Sequence, residues 1–237
     1  MTCAGKGRAG TKGWSITGSE RADFGEGPSR LARYATRLDV AEIKSAFYRS
    51  HRTSTYERWS TTVPTSFRFT VKLPKVIAHD TRLVGTEPLL TRLVGEIAGL
   101  GKRLGGVLVQ LPPSLVFDRR TATAFFAMLR RRFDVPLAVE ARHASCFEPT
   151  LDDVWTRHAP DRVAANPARP PLSAHVEGAG PVRYWRLHGS PLTPYDDAAV
   201  HDRAVDVRAA RDAGHGCRVV FDNTAAPRSA TRCVSRR

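Results

Sequence analysis

The chain has 237 residues, 41% hydrophobic and 25% charged, with a formal net charge of +14 from 37 basic and 23 acidic side chains. That length suits one large α/β domain or two small ones, no apolar run approaches the length of a membrane span, and residues 1–10 lack the apolar core of a secretory signal. The charge admits an anionic or nucleic-acid partner, but only six of the 37 basic residues are Lys and the Arg residues are spread along the whole chain.

In chain order, short apolar runs that end in charged or amide residues alternate with stretches of helical period. A weak first strand falls around Thr11 to Ile16, and Leu31, Tyr34, Ala35 and Leu38 place a first helix over 28–38 with Pro28 near its start. Strand two covers 39–44, and Ser54 with Glu57 forms a capping-box pattern that opens a helix bearing Tyr56 and Trp59. Strand three is 67–72. Pro88 starts a helix with Leu89, Leu90, Leu93, Val94 and Ile97 as its apolar stripe, and strand four is 107–110. Asp118 caps a helix carrying Ala122, Phe125, Phe126 and Leu129, followed by strand five at 137–142. Thr150 opens a helix with Leu151, Val154 and Trp155, and strands six and seven lie at 163–166 and 184–188. A helix at 195–213 then leads to strand eight at 218–223. The pentapeptide Thr-Arg-Leu-Val-Gly occurs at 81–85 and 91–95, an isolated duplication rather than a repeat architecture.

Strands joined by helices imply a parallel sheet buried on both faces. Eight of them, each followed by a helix, predict a single TIM-type (β/α)8 barrel over residues 8–224, with irregular tails at 1–7 and 225–237. The tail after Thr224 has no apolar period, so the eighth helix is expected to be missing or degenerate. That would leave Val219 and Phe221 on strand eight in need of cover.

A charge in a buried strand is costly unless it stands at a solvated or ligand-lined end. Alternation points Glu42 and Lys44 inward from strand two, Arg68, Thr70 and Lys72 from strand three, and Glu140 and Arg142 from strand five. Tyr184, Arg186 and His188 face in from strand seven, and Val220 and Asp222 from strand eight. Gln110 and Asn166 end strands four and six. The polar ends define one mouth at the C-terminal ends of the strands, where barrels of this kind build ligand sites.

Seven segments resemble successive motifs of one family. They are Gly10-Thr11-Lys12-Gly13-Trp14-Ser15-Ile16, Glu42-Ile43-Lys44-Ser45-Ala46-Phe47-Tyr48, Phe69-Thr70-Val71-Lys72-Leu73-Pro74 and Val109-Gln110-Leu111-Pro112-Pro113-Ser114. The remaining three are Glu140-Ala141-Arg142-His143-Ala144-Ser145, Tyr184-Trp185-Arg186-Leu187-His188-Gly189 and Phe221-Asp222-Asn223-Thr224. In this order, from about Gly10 to Thr224, they resemble the YecE-like family, catalogued as domain of unknown function seventy-two. The resemblance implies a TIM-type barrel and no defined reaction. The chain departs from the family pattern at Lys44 (usually Asn), Lys12 (usually small), Cys146 (usually Trp) and Asn166 (usually Asp), and around the shortened segment after Gly189.

The residue types point to acid–base chemistry. Arg142 and Arg186 can fork onto a carboxylate or phosphate, and Glu140, two residues from Arg142 on the same face, is the general-base candidate. Lys72 can stabilise an oxyanion or act as an amine nucleophile. The expected catalytic set is therefore Glu140, Lys72 and His188. The ligand-binding set is Glu42, Lys44, Tyr48, Gln110, Arg142, Asn166, Arg186, Asp222 and Asn223. Crowded cations and the lack of paired histidines argue against a metal, and no cofactor motif is present. Cys3, Cys146, Cys217 and Cys233 lack zinc spacing and read as reduced thiols of a cytoplasmic protein. The expected function is that of an uncharacterised barrel enzyme, a hydrolase, lyase or isomerase acting on a small anionic substrate, with no membrane association. The alternatives are a nucleic-acid-binding or nuclease-like module using the same basic mouth, or a degenerate, inactive barrel.

Overall fold

The structure is a computed structural model that describes residues 6–16, 18–189 and 195–221. Its strands are β1 (Gly7–Lys12), β2 (Val40–Ile43), β3 (Arg68–Lys72), β4 (Leu104–Gln110), β5 (Leu137–Glu140), β6 (Asp161–Arg162), β7 (Ala164–Asn166), β8 (Glu177–Gly178), β9 (Val182–Leu187) and β10 (Gly216–Phe221). Its helices are α1 (Arg30–Tyr34), α2 (Thr53–Thr62), α3 (Glu87–Ile97), α4 (Arg119–Arg132), α5 (Asp152–His158) and α6 (Asp197–Asp212).

All ten strands form one sheet in the order β7-β9-β10-β1-β2-β3-β4-β5-β6-β8. Every ladder is parallel except the short β6–β8 pair. Only Val163 separates β6 from β7, yet β6 pairs with β5 and β7 with β9. The two ends of the sheet thus meet within one stretch of chain, and the sheet nearly closes into a barrel.

The alternation expected from the sequence sorts the core. Phe67, Phe69, Val71, Leu137 and Val139 pack outward with Leu90, Leu93 and Ile97 of α3 and Phe125, Phe126 and Leu129 of α4. Leu108, Ala138, Val163, Tyr184 and Val220 form a separate cluster inside the sheet. Below them Arg218 is buried and donates to the Gly105 carbonyl, in space that a Cβ on Gly106 would take.

Four local expectations are corrected. First, the opening strand begins at Gly7 rather than Thr11. It is poor in branched residues because it runs close against its neighbour: a Cβ on Gly10 would collide with the Val40 carbonyl and lie 2.8 Å from the Tyr34 hydroxyl. That hydroxyl donates to Val40 O at 2.9 Å and accepts from Thr11 N at 2.7 Å. Gly10→Ala should therefore lower stability by ~1–3 kcal/mol, the usual range for overpacking, read as a reduced urea midpoint with unchanged slope.

Second, α2 starts at Thr53 behind Arg52, with no side-chain cap, so Ser54 is inside the helix. Ser29 and Asp118 do cap, accepting from Ala32 N and Thr121 N. Third, no α-helix follows strand six: a 3-10 turn at Pro171–Ala174 and the β8 ribbon occupy that place. Fourth, Val219 and Phe221 are buried, in a cluster with Trp185 and Leu187 against Val207 and Ala210 of α6. Strand eight thus has apolar cover from α6. The tail at 225–237 lies outside the described residues.

Candidate functional site

Six strands, β1 to β5 and β9, bring charged or amide side chains to one end of the sheet interior. The centre is Arg186 on β9, 1% exposed, beside Glu42 on β2 and Glu140 on β5, at 0% and 1%. Its guanidinium donates from Nε and Nη2 to the two oxygens of Glu42, at 2.9 and 2.8 Å, and from Nη1 to Glu140 Oε2. Such a fork can satisfy two carboxylates at once, which an ammonium cannot do. Tyr184 adds its hydroxyl to Glu42 Oε2 at 3.4 Å, and Gln110 donates its amide to Glu140 Oε1 at 3.0 Å. Burial would raise the Glu42 carboxyl, but Arg186, with Lys12 and Lys72 behind it, holds it below the usual range.

His188 completes the layer. Lys12 Nζ lies 2.5 Å from its Nδ1, and its Nε2 is 3.3 Å from Glu140 Oε1. An ammonium only donates, so Nδ1 accepts from Lys12 and the neutral ring carries its proton on Nε2, which faces Glu140 Oε1 and also has Arg186 Nη1 at 3.5 Å. Burial, reinforced by Arg186 and Lys12, depresses the imidazole to about 3. His188 is therefore neutral near pH 7. It is a hydrogen-bond donor to Glu140 rather than a counter-ion.

Lys72 on β3 is 7% exposed, with Nζ 3.5 Å above the Phe47 ring. Burial lowers it first, then Arg186, Lys12 and Arg142, with Glu42 opposing, to about 7. At the outer rim Arg142 places Nε 3.6 Å from Glu140 Oε1. Burial and then the like charge of Arg169 lower its pKa. Glu140, Arg142, Ala165, Pro167, Arg169, His188 and Gly189 line an open pocket of ≈ 260 Å³.

The family model "Protein of unknown function DUF72" matches residues 8–236. The chain belongs to the DUF72 family. It is 28% identical over 124 residues to the UPF0759 protein YecE of Escherichia coli (strain K12), an alignment that takes in 51% of this chain and 44% of that protein. The same figures hold for YecE of Escherichia coli O157:H7. The chain thus matches less than half the length of these curated relatives. Among solved structures, a DUF72 family protein from Enterococcus faecalis v583 superposes with a TM-score of 0.76 at 20% identity, covering 97% of this chain and 95% of that one. One from Thermotoga maritima MSB8 gives 0.65 at 20% identity, covering 97% and 96%. At that identity the likeness concerns the fold.

For this DUF72 chain the structure brings together Glu42, Lys72, Gln110, Glu140, Arg142, Arg186 and His188. Three other expected residues stand elsewhere. Lys44 is exposed, because the chain leaves the strand after Ile43 and turns into a 3-10 segment at Ser45. The cations that depress Lys72 are accordingly Arg186, Lys12 and Arg142. Tyr48 is 76% exposed and lines a different groove, with Pro74 and Leu93. Asn166 is exposed and ties the chain on the other side: its Oδ1 and O accept from the Tyr195 hydroxyl at 2.8 and 3.1 Å. Asp222 and Asn223 lie outside the described residues.

The sequence-derived set omitted Lys12 and Arg169. Lys12 ends β1 opposite Glu42 in the ladder, so it reaches the same layer. Among the described residues no group of three or more His, Cys, Asp or Glu side chains is arranged to hold a metal ion, and no helix is long and apolar enough to cross a membrane. Cys146 and Cys217 are free and buried, and burial raises each thiol to about 11.

Proposed function

We propose that this chain is a (β/α)8-type barrel enzyme that performs acid–base chemistry, as a hydrolase, lyase or isomerase, on a small anionic substrate. In support of the barrel count, β6 and β7 act as two halves of one strand. With β1–β5, β9 and β10 they make eight positions, closed by the β10–β1 ladder.

The observation that carries the chemistry is the meeting of a buried carboxylate and two guanidinium groups at one small pocket. Arg142 and Arg169 flank it and repel each other. An anion between them relieves that repulsion and gains forked hydrogen bonds. Glu140 lies at its inner end, oriented by Gln110 and by the Nε2 proton of neutral His188. It acts as the general base, while Arg186 stabilises its ionised form and Lys72 faces charge that develops on substrate oxygen. A pocket of ≈ 260 Å³ selects a small ligand.

The test is thermal denaturation with inorganic phosphate, lactate and pyruvate, at low salt. A ligand at ~100 times its Kd adds ~2.7 kcal/mol of stability, a rise of several degrees in Tm. The Arg142→Ala/Arg169→Ala variant should lose that rise while keeping its own fold. On any substrate so found, Glu140→Gln should retain binding and lose ~10²–10⁴-fold in kcat. The nucleic-acid alternative is checked on the same protein: oligonucleotide binding that weakens steeply with salt, with no effect of small anions, would overturn the small-substrate proposal.

A further inference from the structure

We propose that Lys72 is the amine of a reversible imine site for small oxo acids, an inference that rests on the anion pocket and acid–base function proposed above and names their substrate class.

The placement of Lys72 is unlike that of a structural lysine. It points inward from a central strand, and among the described residues it makes no ion pair, although Glu42 is close enough to influence it. Its ammonium rests on the Phe47 ring at 3.5 Å, an apolar lid rather than a counter-ion. A ring face favours the charged form. Against that stand loss of water around Nζ and the repulsion of three cations, Arg186, Lys12 and Arg142. The second effect wins, since the amine titrates near 7 instead of 10.5. A large fraction is the free base at neutral pH. Desolvation and neighbouring cations are the means by which an amine becomes a nucleophile toward carbonyl carbon.

The surroundings specify the rest of the ligand. Arg142 and Arg169 at the rim take a carboxylate. Glu42 and Glu140, deeper in, stabilise the positive charge of an iminium. Lys72 does not line that pocket but lies close enough to Arg142 to feel its charge, so a compound held by its carboxylate at the rim would present a nearby carbonyl inward, past Arg142, to the amine. In the step itself the Nζ lone pair attacks the carbonyl carbon, an N–C bond forms, and the oxygen takes the proton that nitrogen loses. The carbinolamine then takes one proton from solvent and expels its oxygen as water, leaving the iminium. No oxidant or reductant is required.

The experiment treats the full chain with pyruvate or glyoxylate and sodium borohydride, followed by intact mass measurement and peptide mapping. Reduction fixes the imine as a secondary amine, and the protein gains the mass of the acid less one oxygen. The adduct should map to Lys72, form with an apparent midpoint near pH 7, be suppressed by excess lactate, and vanish in Lys72→Arg. Lactate should still raise the Tm of that variant, which also shows that it is folded.

Labelling spread over the exposed lysines, or on Lys12 in place of Lys72, overturns the proposal. So does absence of any adduct in the unaltered protein when lactate still raises its Tm, and that result leaves the anion pocket standing. If neither lactate nor pyruvate affects the Tm and no adduct forms, both proposals fall together.

Discussion

Replacing Arg186 with Met should destabilise the protein by ~3–5 kcal/mol, the cost of leaving a buried charge without its partner. That is a large share of the ~5–15 kcal/mol holding a domain folded, so the urea midpoint should drop by roughly a fifth or more. The loss follows from geometry. Glu42 and Glu140 are both buried and both face the one guanidinium, Glu42 through two bonds and Glu140 through one. Without it, Glu42 keeps the Tyr184 hydroxyl and the charges of Lys12 and Lys72, and Glu140 keeps Gln110, His188 and Arg142, so both carboxylates stay away from water with less compensation than before. Arg186→Lys should recover only part of the loss, because a point charge cannot span both acceptors. The triple variant Glu42→Gln/Glu140→Gln/Arg186→Met should recover more, since a neutral core often equals a buried ion network in stability. A Met variant that loses under about 1 kcal/mol would show that this network does not hold the sheet interior together.

Much of that network was legible in the sequence, because parity along a strand is a strict rule. Glu140 and Arg186 follow from the apolar residues on either side of them, which had to face the helices. The rule misleads where it is applied beyond the strand or replaced by position alone. Lys44 has the right parity after Glu42, but the chain has already turned at Ile43. Asn166 has only its place at a strand end to recommend it. Parity from Val163, which lies inside the sheet, sends Ala165 inward and Asn166 out, as found.

The first strand is harder to place for a different reason. Its defining residue, Gly10, has no side chain, and what fixes it is the space that Val40 and Tyr34 leave. Hydrophobic patterning cannot register such a contact, and Lys12 drops out of the site with it. The two copies of Thr-Arg-Leu-Val-Gly show the same limit. The second lies within α3, whereas in the first Arg82 and Leu83 have φ of 51° and 72°, in the left-handed region. Leu83 is nevertheless 4% exposed, so burial outweighs the local backbone cost. Tertiary context, absent from a five-residue window, decides between the two conformations.

Acid should unfold this protein sooner than its basic composition suggests, and the site is the reason. His188 has a folded pKa of about 3 against an ordinary 6.5. Between those values the unfolded chain binds a proton that the native state refuses, so stability falls as pH drops through this window. Glu42 acts in the same direction: its folded pKa is lowered, so its contribution is present above the usual carboxylate value of 4.5 and is lost as pH falls through the folded one. Lys72 works at the other end. Between about 7 and 10.5 the unfolded chain is protonated there and the native state is not, so stability rises with pH over that range. A tenfold change in proton affinity is worth ~1.4 kcal/mol, so His188 alone contributes on the order of 2–4 kcal/mol once its partial contact with solvent is allowed for. The melting temperature should therefore decline from near neutrality toward about pH 4. His188→Gln should flatten that decline, and Lys72→Met should flatten the rise on the alkaline side. A His188→Gln variant whose acid limb runs parallel to that of the unaltered protein would mean that the imidazole is free to charge, and the neutral donor role assigned to it beside Glu140 would be wrong.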